Sequence, residues 1–214
     1  MKGAVSMTLE AKNLTFRYPR RGAAPVLEGV SITLRPGERL GLSAPSGRGK
    51  TTLCKLLAGW EEPEDGQVLL DGAPLPRRGF CPVQLLWQHP EEAVDPLLKL
   101  RVSLYEAGPV DPAVLEGLGV REEWLERYPA ELSGGELQRI CAARVLGPEL
   151  KFLLCDETSA MLDLITQARL WRFLLKQAEE RGLGLLIVSH DATLLDRVCT
   201  RVLTWEEIAA PRRT

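Results

Sequence analysis

LSGGELQRICAARVL, residues 132–146, decides how this chain reads. It follows a glycine-rich APSGRGKT at 44–51 and precedes FLLCDE at 152–157. Ser133 and Glu136 have the spacing of a capping box. The hydroxyl can accept from the amide of Glu136, and the carboxylate can reach back to the amide of Ser133. The spacing predicts a helix over 137–146, stopped by Gly147-Pro148. A helix start presents free N–H groups and a partial positive charge, which suits a phosphate. The chain already offers such a start at Lys50. A second one makes sense for a nucleotide held by another subunit, touched through Ser133, Gly134 and Gly135.

The upstream stretch has the form of a phosphate loop. In such a loop backbone N–H groups wrap the phosphates, a lysine reaches the β- and γ-phosphates, and a hydroxyl binds Mg²⁺. Ser46, Gly47, Arg48 and Gly49 supply the cradle, Lys50 the ammonium and Thr51 the hydroxyl, with Thr52 beside it. The strict pattern has glycine where Ala44 stands. Alanine keeps the amide but restricts the backbone to conformations an L-residue tolerates. An ordinary glycine-rich strand-to-helix turn is the competing reading.

FLLCDE supplies the second half. Four apolar residues predict a buried strand whose carboxylates emerge at its C-terminal edge, where open α/β sheets bind ligands. Asp156 would hold Mg²⁺, and Glu157 would orient and polarise an attacking water. His190 ends another apolar run, LLIVSH, and should share that edge. An acidic pair at a strand end can equally be a cap or a surface ion pair, and a lone histidine can be structural.

The remaining pattern fits an α/β chain. Alternation over 8–34 predicts β-structure, 39–43 a short strand, and 50–58 a helix with Gly59 closing it. Gln67 to Leu70 followed by Asp71-Gly72 reads as a strand entering a hairpin turn. Residues 92–128 read as short helices joined by loops. From Phe152 the rhythm becomes strand, long helix (164–181) and strand (185–189), then a helix capped by Asp191.

Composition sets bounds. The chain has 214 residues, a formal net charge of −2 and a pI of about 5.9, so bulk charge does not suggest a nucleic-acid binder. No apolar run approaches the roughly 18 residues that span a bilayer. The first residues show no apolar signal-peptide core. Five scattered cysteines without a C-x-x-C pair read as buried thiols of a reducing compartment.

Taken together, LSGGE, the loop at Lys50, the carboxylates at 156 and 157 and His190 resemble the nucleotide-binding subunit of an ABC transporter over nearly the whole chain. The resemblance implies an α/β P-loop NTPase core with a mainly parallel sheet, a small antiparallel β subdomain and a helical subdomain carrying the signature motif. Its expected limits are 1–90 and 147–214 for the core and 91–146 for the helical part. It implies ATP and Mg²⁺ as ligands, with Thr51, Asp156 and Gln88 on the metal side. Glu157, His190 and Gln88 become the catalytic set. Asp163, closing SAMLD, falls at the dimer seam, and Tyr18 on the adenine, with Phe16 as rival. The implied partners are a second ATPase subunit, integral membrane permease subunits and a substrate-binding protein, on the cytoplasmic face of the membrane.

PVQLLWQHPEEAVDP (82–96) resembles the peptide and nickel importer ATPases, with Asp95-Pro96 in place of their Asn-Pro. Departures from the family are Ala44, Thr158 in place of the proline usual after the glutamate, and His89 for a common Asp. A soluble ABC ATPase of cluster assembly or remodelling is the alternative. The SGGE signature argues against a small-molecule P-loop kinase.

Overall fold

The structure is a computed structural model and describes residues 7–19, 24–158 and 162–209. The N-terminal residues 1–6, where no signal-peptide core is expected, and positions 159–161 of SAMLD lie outside the described residues.

Two sheets form. Strands β1 (Leu9–Phe16), β2 (Leu27–Leu34), β4 (Asp65–Leu70) and β5 (Ala73–Pro74) make an antiparallel sheet in the order β2-β1-β4-β5. The hairpin at Asp71-Gly72 joins β4 to β5 as expected, with Asp71 and Gly72 both at positive φ. Strands β3 (Arg39–Ser43), β6 (Val83–Leu86), β7 (Phe152–Asp156), β8 (Gly184–Ser189) and β9 (Arg201–Thr204) make a parallel sheet in the order β6-β7-β8-β3-β9.

Both faces of the parallel sheet are covered, which is why its strands read as unbroken apolar runs. On β7 the side chains alternate between two cores. Phe152 and Leu154 join Leu40, Leu42, Leu186 and Val188 against α1 (Lys50–Leu57) and the antiparallel sheet. Leu153 and Cys155 join Leu185 and Ile187 in the other core. That second core is closed by helices from two parts of the chain. Between β6 and β7 lie α2 (Leu100–Tyr105), α3 (Pro112–Leu118), α4 (Glu122–Leu125) and α5 (Gly134–Val145). After β7 come α6 (Leu164–Arg181) and α7 (Ala192–Val198), and α8 (Trp205–Ile208) ends the described chain.

Local sequence accounts for the helix ends. Asp163 caps α6 by accepting from the amides of Ile165 and Thr166, both at 3.0 Å, and Gly182 stops it at φ 65°. Asp191 caps α7 through the Leu194 amide at 3.1 Å. Two expectations shift. The signature helix begins at Gly134, not at 137, because the Ser133 cap organises the turn before the apolar stripe begins. Gly59 is not the C-cap of α1. Ala58 holds that place in right-handed geometry, and Gly59 follows at φ 74°.

Because β3, β6, β7 and β8 are parallel, their C-terminal ends share one edge. The phosphate-loop stretch leaves β3 there, and the Gln88 segment leaves β6. Asp156 ends β7, and His190 follows β8. The topology thus gathers residues spread over more than half the chain.

Candidate functional site

The loop after β3 delivers Lys50 as the first residue of α1. Gly47 (φ 78°) and Gly49 (φ 93°) occupy left-handed conformations that favour glycine. A Cβ on Gly49 would also meet Leu27 and Val26 side-chain atoms at 2.9 Å, whereas one on Gly47 would meet nothing within 4 Å. Gly49 is therefore glycine for packing as well as for φ, and Gly47 faces open space. Ala44 is buried and is not among the residues of positive φ, so an L-residue fits there without strain. Its carbonyl accepts from Lys50 Nζ at 2.9 Å.

A cavity of about 400 Å³ opens above this loop, lined by Ser46, Gly47, Gly49, Lys50, Thr51, Thr52, Gln88, Glu157 and Val26. Gln88 and Glu157 thus reach the loop from β6 and β7. Two side chains converge on Glu157: Lys50 Nζ forms an ion pair 2.7 Å from Oε1, and His190 Nδ1 lies 3.4 Å from Oε2. Burial pushes the Glu157 carboxyl upward, but the Lys50 ammonium and His190 outweigh it, and the group is held below its ordinary range. Its backbone sits at φ 44°, a conformation costing a non-glycine residue about 1–3 kcal/mol. The Glu157 amide, donating to the Val188 carbonyl at 3.0 Å, and the grip of Lys50 hold it there.

Asp156 differs from its neighbour. Its Oδ2 accepts from Thr51 Oγ1 at 2.6 Å, while Oδ1 is buried with no partner. Burial raises its pKa, only partly countered by the Thr51 hydrogen bond. A buried carboxylate oxygen without a donor, beside a threonine hydroxyl, fits a hard divalent cation. Among the described residues no group of three or more His, Cys, Asp or Glu could hold a metal. A cation here would therefore take oxygens from phosphate and water, as Mg²⁺ usually does.

Tyr18 and Phe16 separate. Phe16 ends β1 and is buried in the core, and Tyr18 is 37 % exposed. The strand stops at Phe16, so alternation does not carry to Tyr18. The Tyr18 hydroxyl lies 3.1 Å from Thr52 Oγ1, which sets its ring beside the phosphate-loop helix and edge-on to Phe16. Arg48 turns away: its guanidinium pairs with Glu206 at 2.9 Å and does not line the cavity.

The signature turn stands apart. Ser133 and Gly134 are exposed, and Ser133, Gly134, Gly135 and Asp163 do not line the Lys50 cavity. The capping box is complete. The Ser133 amide donates to Glu136 Oε2 at 2.9 Å, and the Glu136 amide reaches Ser133 Oγ at 3.4 Å. Donation from the Ser133 backbone and hydroxyl holds the Glu136 carboxyl below its ordinary range. A Cβ on Gly135 would meet Leu162 at 3.4 Å, so the turn packs beside the segment that leads to Asp163.

These features can be set beside known proteins. The profile of the ABC transporter family matches residues 27–160. The chain belongs to the ABC transporter family. The nickel import ATP-binding protein NikE of Shigella dysenteriae is 36 % identical over 223 residues, covering 92 % of this chain and 83 % of that protein. Its counterpart in Escherichia coli K12 is 36 % identical over 200 residues, covering 85 % and 75 %. A solved dimeric bacterial ABC transporter cassette shares the fold with a TM-score of 0.77 at 24 % identity, covering 92 % of this chain and 93 % of that one. The same score, at 23 % identity, describes a dimeric cassette in a post-hydrolysis state bound to ADP and Pi. The P-loop NTPase architecture expected from the motifs is thus the fold of this ABC ATPase chain.

Two side chains at the site carry no motif signal. Gln138, 1 % exposed on α5, donates from Nε2 to the Trp87 carbonyl at 3.0 Å. It shares a helical stripe with Cys141, Ala142 and Val145, and a glutamine on such an apolar stripe is the sequence sign that was available. Thr158 is 4 % exposed and donates to the Leu86 carbonyl at 3.2 Å. Its only sign was the departure from proline.

Proposed function

We propose that this chain is the ATP-hydrolysing subunit of an ABC importer, working as a head-to-tail pair. The observation that carries the reading is the cavity at Lys50, where Lys50, Glu157, Gln88 and Thr51 meet beside the half-paired carboxylate of Asp156. In this reading Lys50 leaves Glu157 for the β- and γ-phosphates when ATP enters. The freed Glu157 carboxylate, already ionised, then orients the attacking water, with His190 beside it. Thr51, Asp156 and Gln88 would hold Mg²⁺, which supplies charge neutralisation on the phosphate oxygens when bound. Tyr18 would stack on the adenine. The Ser46–Gly49 backbone, with Arg48 contributing its amide, would wrap the phosphates.

Ser133, Gly134, Gly135 and Asp163 would act on the nucleotide of the partner subunit. The exposed Leu164 and Ile165, 81 % and 68 % accessible beside Asp163, supply apolar surface for such a seam. Residues 91–146 would form the helical lobe that docks to a permease. Leu97, Leu98 and Val102, exposed within about fifteen residues after Gln88, are apolar surface suited to that contact. Among the described residues no helix is long and apolar enough to cross a membrane. In this reading integral membrane permease subunits are partners, and this chain sits peripherally on the cytoplasmic face. The similarity to nickel import proteins favours nickel, free or chelated, over peptide as cargo, delivered by a substrate-binding protein.

Phosphate release from MgATP, measured on the purified chain and on its mixture with a paired ATPase, tests the enzymatic half. Radiolabelled nickel uptake in cells with and without the chain tests the transport half. Hydrolysis without uptake would favour the soluble ATPase alternative.

A further inference from the structure

The two carbonyls that precede Gln88, one at the end of β6 and one just after it, are gripped by buried side chains from different parts of the fold. Thr158 Oγ1 donates to the Leu86 carbonyl, and Gln138 Nε2 donates to the Trp87 carbonyl. Gln88 is the next residue and lines the cavity together with Glu157. Thr158 immediately follows Glu157, and Gln138 lies in the helix that Ser133 caps. The chain entering Gln88 is therefore tied to both halves of the proposed machine.

We infer that Thr158 is a positioning residue for hydrolysis: its hydroxyl, by holding the Leu86 carbonyl, fixes where Gln88 stands relative to Glu157. The geometry of Glu157 makes such a tie consequential. Glu157 sits in left-handed geometry, which relaxes unless its surroundings impose it. Its amide is fixed to β8 through Val188, and the residue that follows is fixed to β6 through Thr158. The strained residue is thus clamped between the strands on either side of β7. Proline, usual at this position in the family, has neither hydroxyl nor N–H and could not make the link.

The inference rests on reading Glu157 as the group that orients the water, and the experiment separates the two. Steady-state ATP hydrolysis is measured for the parent, Glu157→Gln, Thr158→Val, Thr158→Ala, Thr158→Ser and the double variant Glu157→Gln/Thr158→Val. ATP affinity and melting are followed in parallel. Small misplacements of a catalytic group cost up to about 100-fold in rate. Thr158→Val and Thr158→Ala should lower kcat by about 10-fold or more with KM within about twofold, and Thr158→Ser should return kcat to within about threefold of the parent. In the double variant the valine should cost little further rate, since the arrangement of Gln88 against Glu157 that it maintains has already lost its carboxylate. A Thr158→Val or Thr158→Ala variant at the parent kcat overturns the inference while leaving Glu157 in place. So does a rate loss that serine fails to restore, or one that adds in full to Glu157→Gln, since packing alone would do that. Parent-like hydrolysis by Glu157→Gln would overturn the reading of Glu157, and the positioning role would fall with it.

Discussion

The helix starts at Lys50 and Ser133 are built differently: Gly49 precedes Lys50 in left-handed geometry without a side-chain cap, whereas Ser133 closes a capping box. At Lys50 the first helical residue is buried, its ammonium divided between the Ala44 carbonyl and the Glu157 carboxylate. Around it lie groups from β3, β6 and β7. At Ser133 the cap is exposed and its hydrogen bonds close within four residues, on Glu136. One start is a pocket assembled by the whole sheet. The other is a finished local motif with no group from the opposite sheet edge to work with. A helix start that faces outward, complete in itself, is what a contribution to a neighbouring subunit's site requires.

The largest expected effects lie at the pocket. Lys50→Ala should abolish hydrolysis and sharply weaken ATP binding in a nucleotide titration. It also strips Glu157 of its ion-pair partner. Glu157→Gln should lower phosphate release by about 10²–10⁴-fold. ATP binding should persist or tighten, because a charge facing the γ-phosphate is removed. Size-exclusion chromatography with MgATP should then show the closed dimer accumulating. Asp156→Asn should instead cost Mg²⁺-dependent function without trapping a dimer.

At the exposed start the split itself can be broken. Ser133→Arg should leave ATP binding by the monomer unchanged while dimerisation and hydrolysis are lost. If that variant fails to bind ATP as a monomer, the two starts serve one nucleotide and the comparison collapses.

A smaller effect is expected at Tyr18. Stacking of an aromatic ring on a base contributes about 1–3 kcal/mol. Tyr18→Ala should therefore weaken ATP affinity by roughly 5- to 150-fold, with kcat at saturation little changed. Tyr18→Phe should keep most of the affinity, since it loses only the hydroxyl contact to Thr52.

The smallest effect is the pH response. The folded carboxyls of Glu157 and Glu136 both lie below their unfolded values. Each therefore contributes stability at pH above the unfolded carboxylate value of about 4.3, and loses it as pH falls through the lower folded value. Asp156 has the opposite sign. Its raised carboxyl costs stability once ionised, so protonation on acidification offsets part of the loss. Melting followed from pH 7 downward should stay nearly flat until the pH falls below the ordinary glutamate range. In Glu157→Gln the acid-side loss should shrink, and in Asp156→Asn it should grow.

Much of the site was legible because its residue types are dictated locally. Phosphate cradling needs glycines before a lysine and a hydroxyl, and a capping box needs serine and glutamate three apart. A doubly buried strand needs the unbroken run that ends in Asp156-Glu157. Those demands act over a few residues, so they leave patterns. Other features depend on contacts distant in the chain. Alternation put Phe16 and Tyr18 on one face, yet the strand ends between them and only the tertiary contact to Thr52 separates their roles. Arg48 reads as part of the phosphate-loop cradle, but Glu206, far along the chain, draws its side chain out of the cavity.

The amino-acid order determined the fold class, the two helix starts and the chemical groups at each, because spacing along the backbone fixes which side chains share a turn or a strand end. Only the packed structure decided which groups meet. The pairing of Lys50 with Glu157, the half-satisfied carboxylate of Asp156 and the grip of Thr158 and Gln138 on the Gln88 segment all join residues separated by tens of positions or more. Such contacts follow from the parallel register that aligns the C-terminal ends of β3, β6, β7 and β8, and register is a property of the assembled sheet.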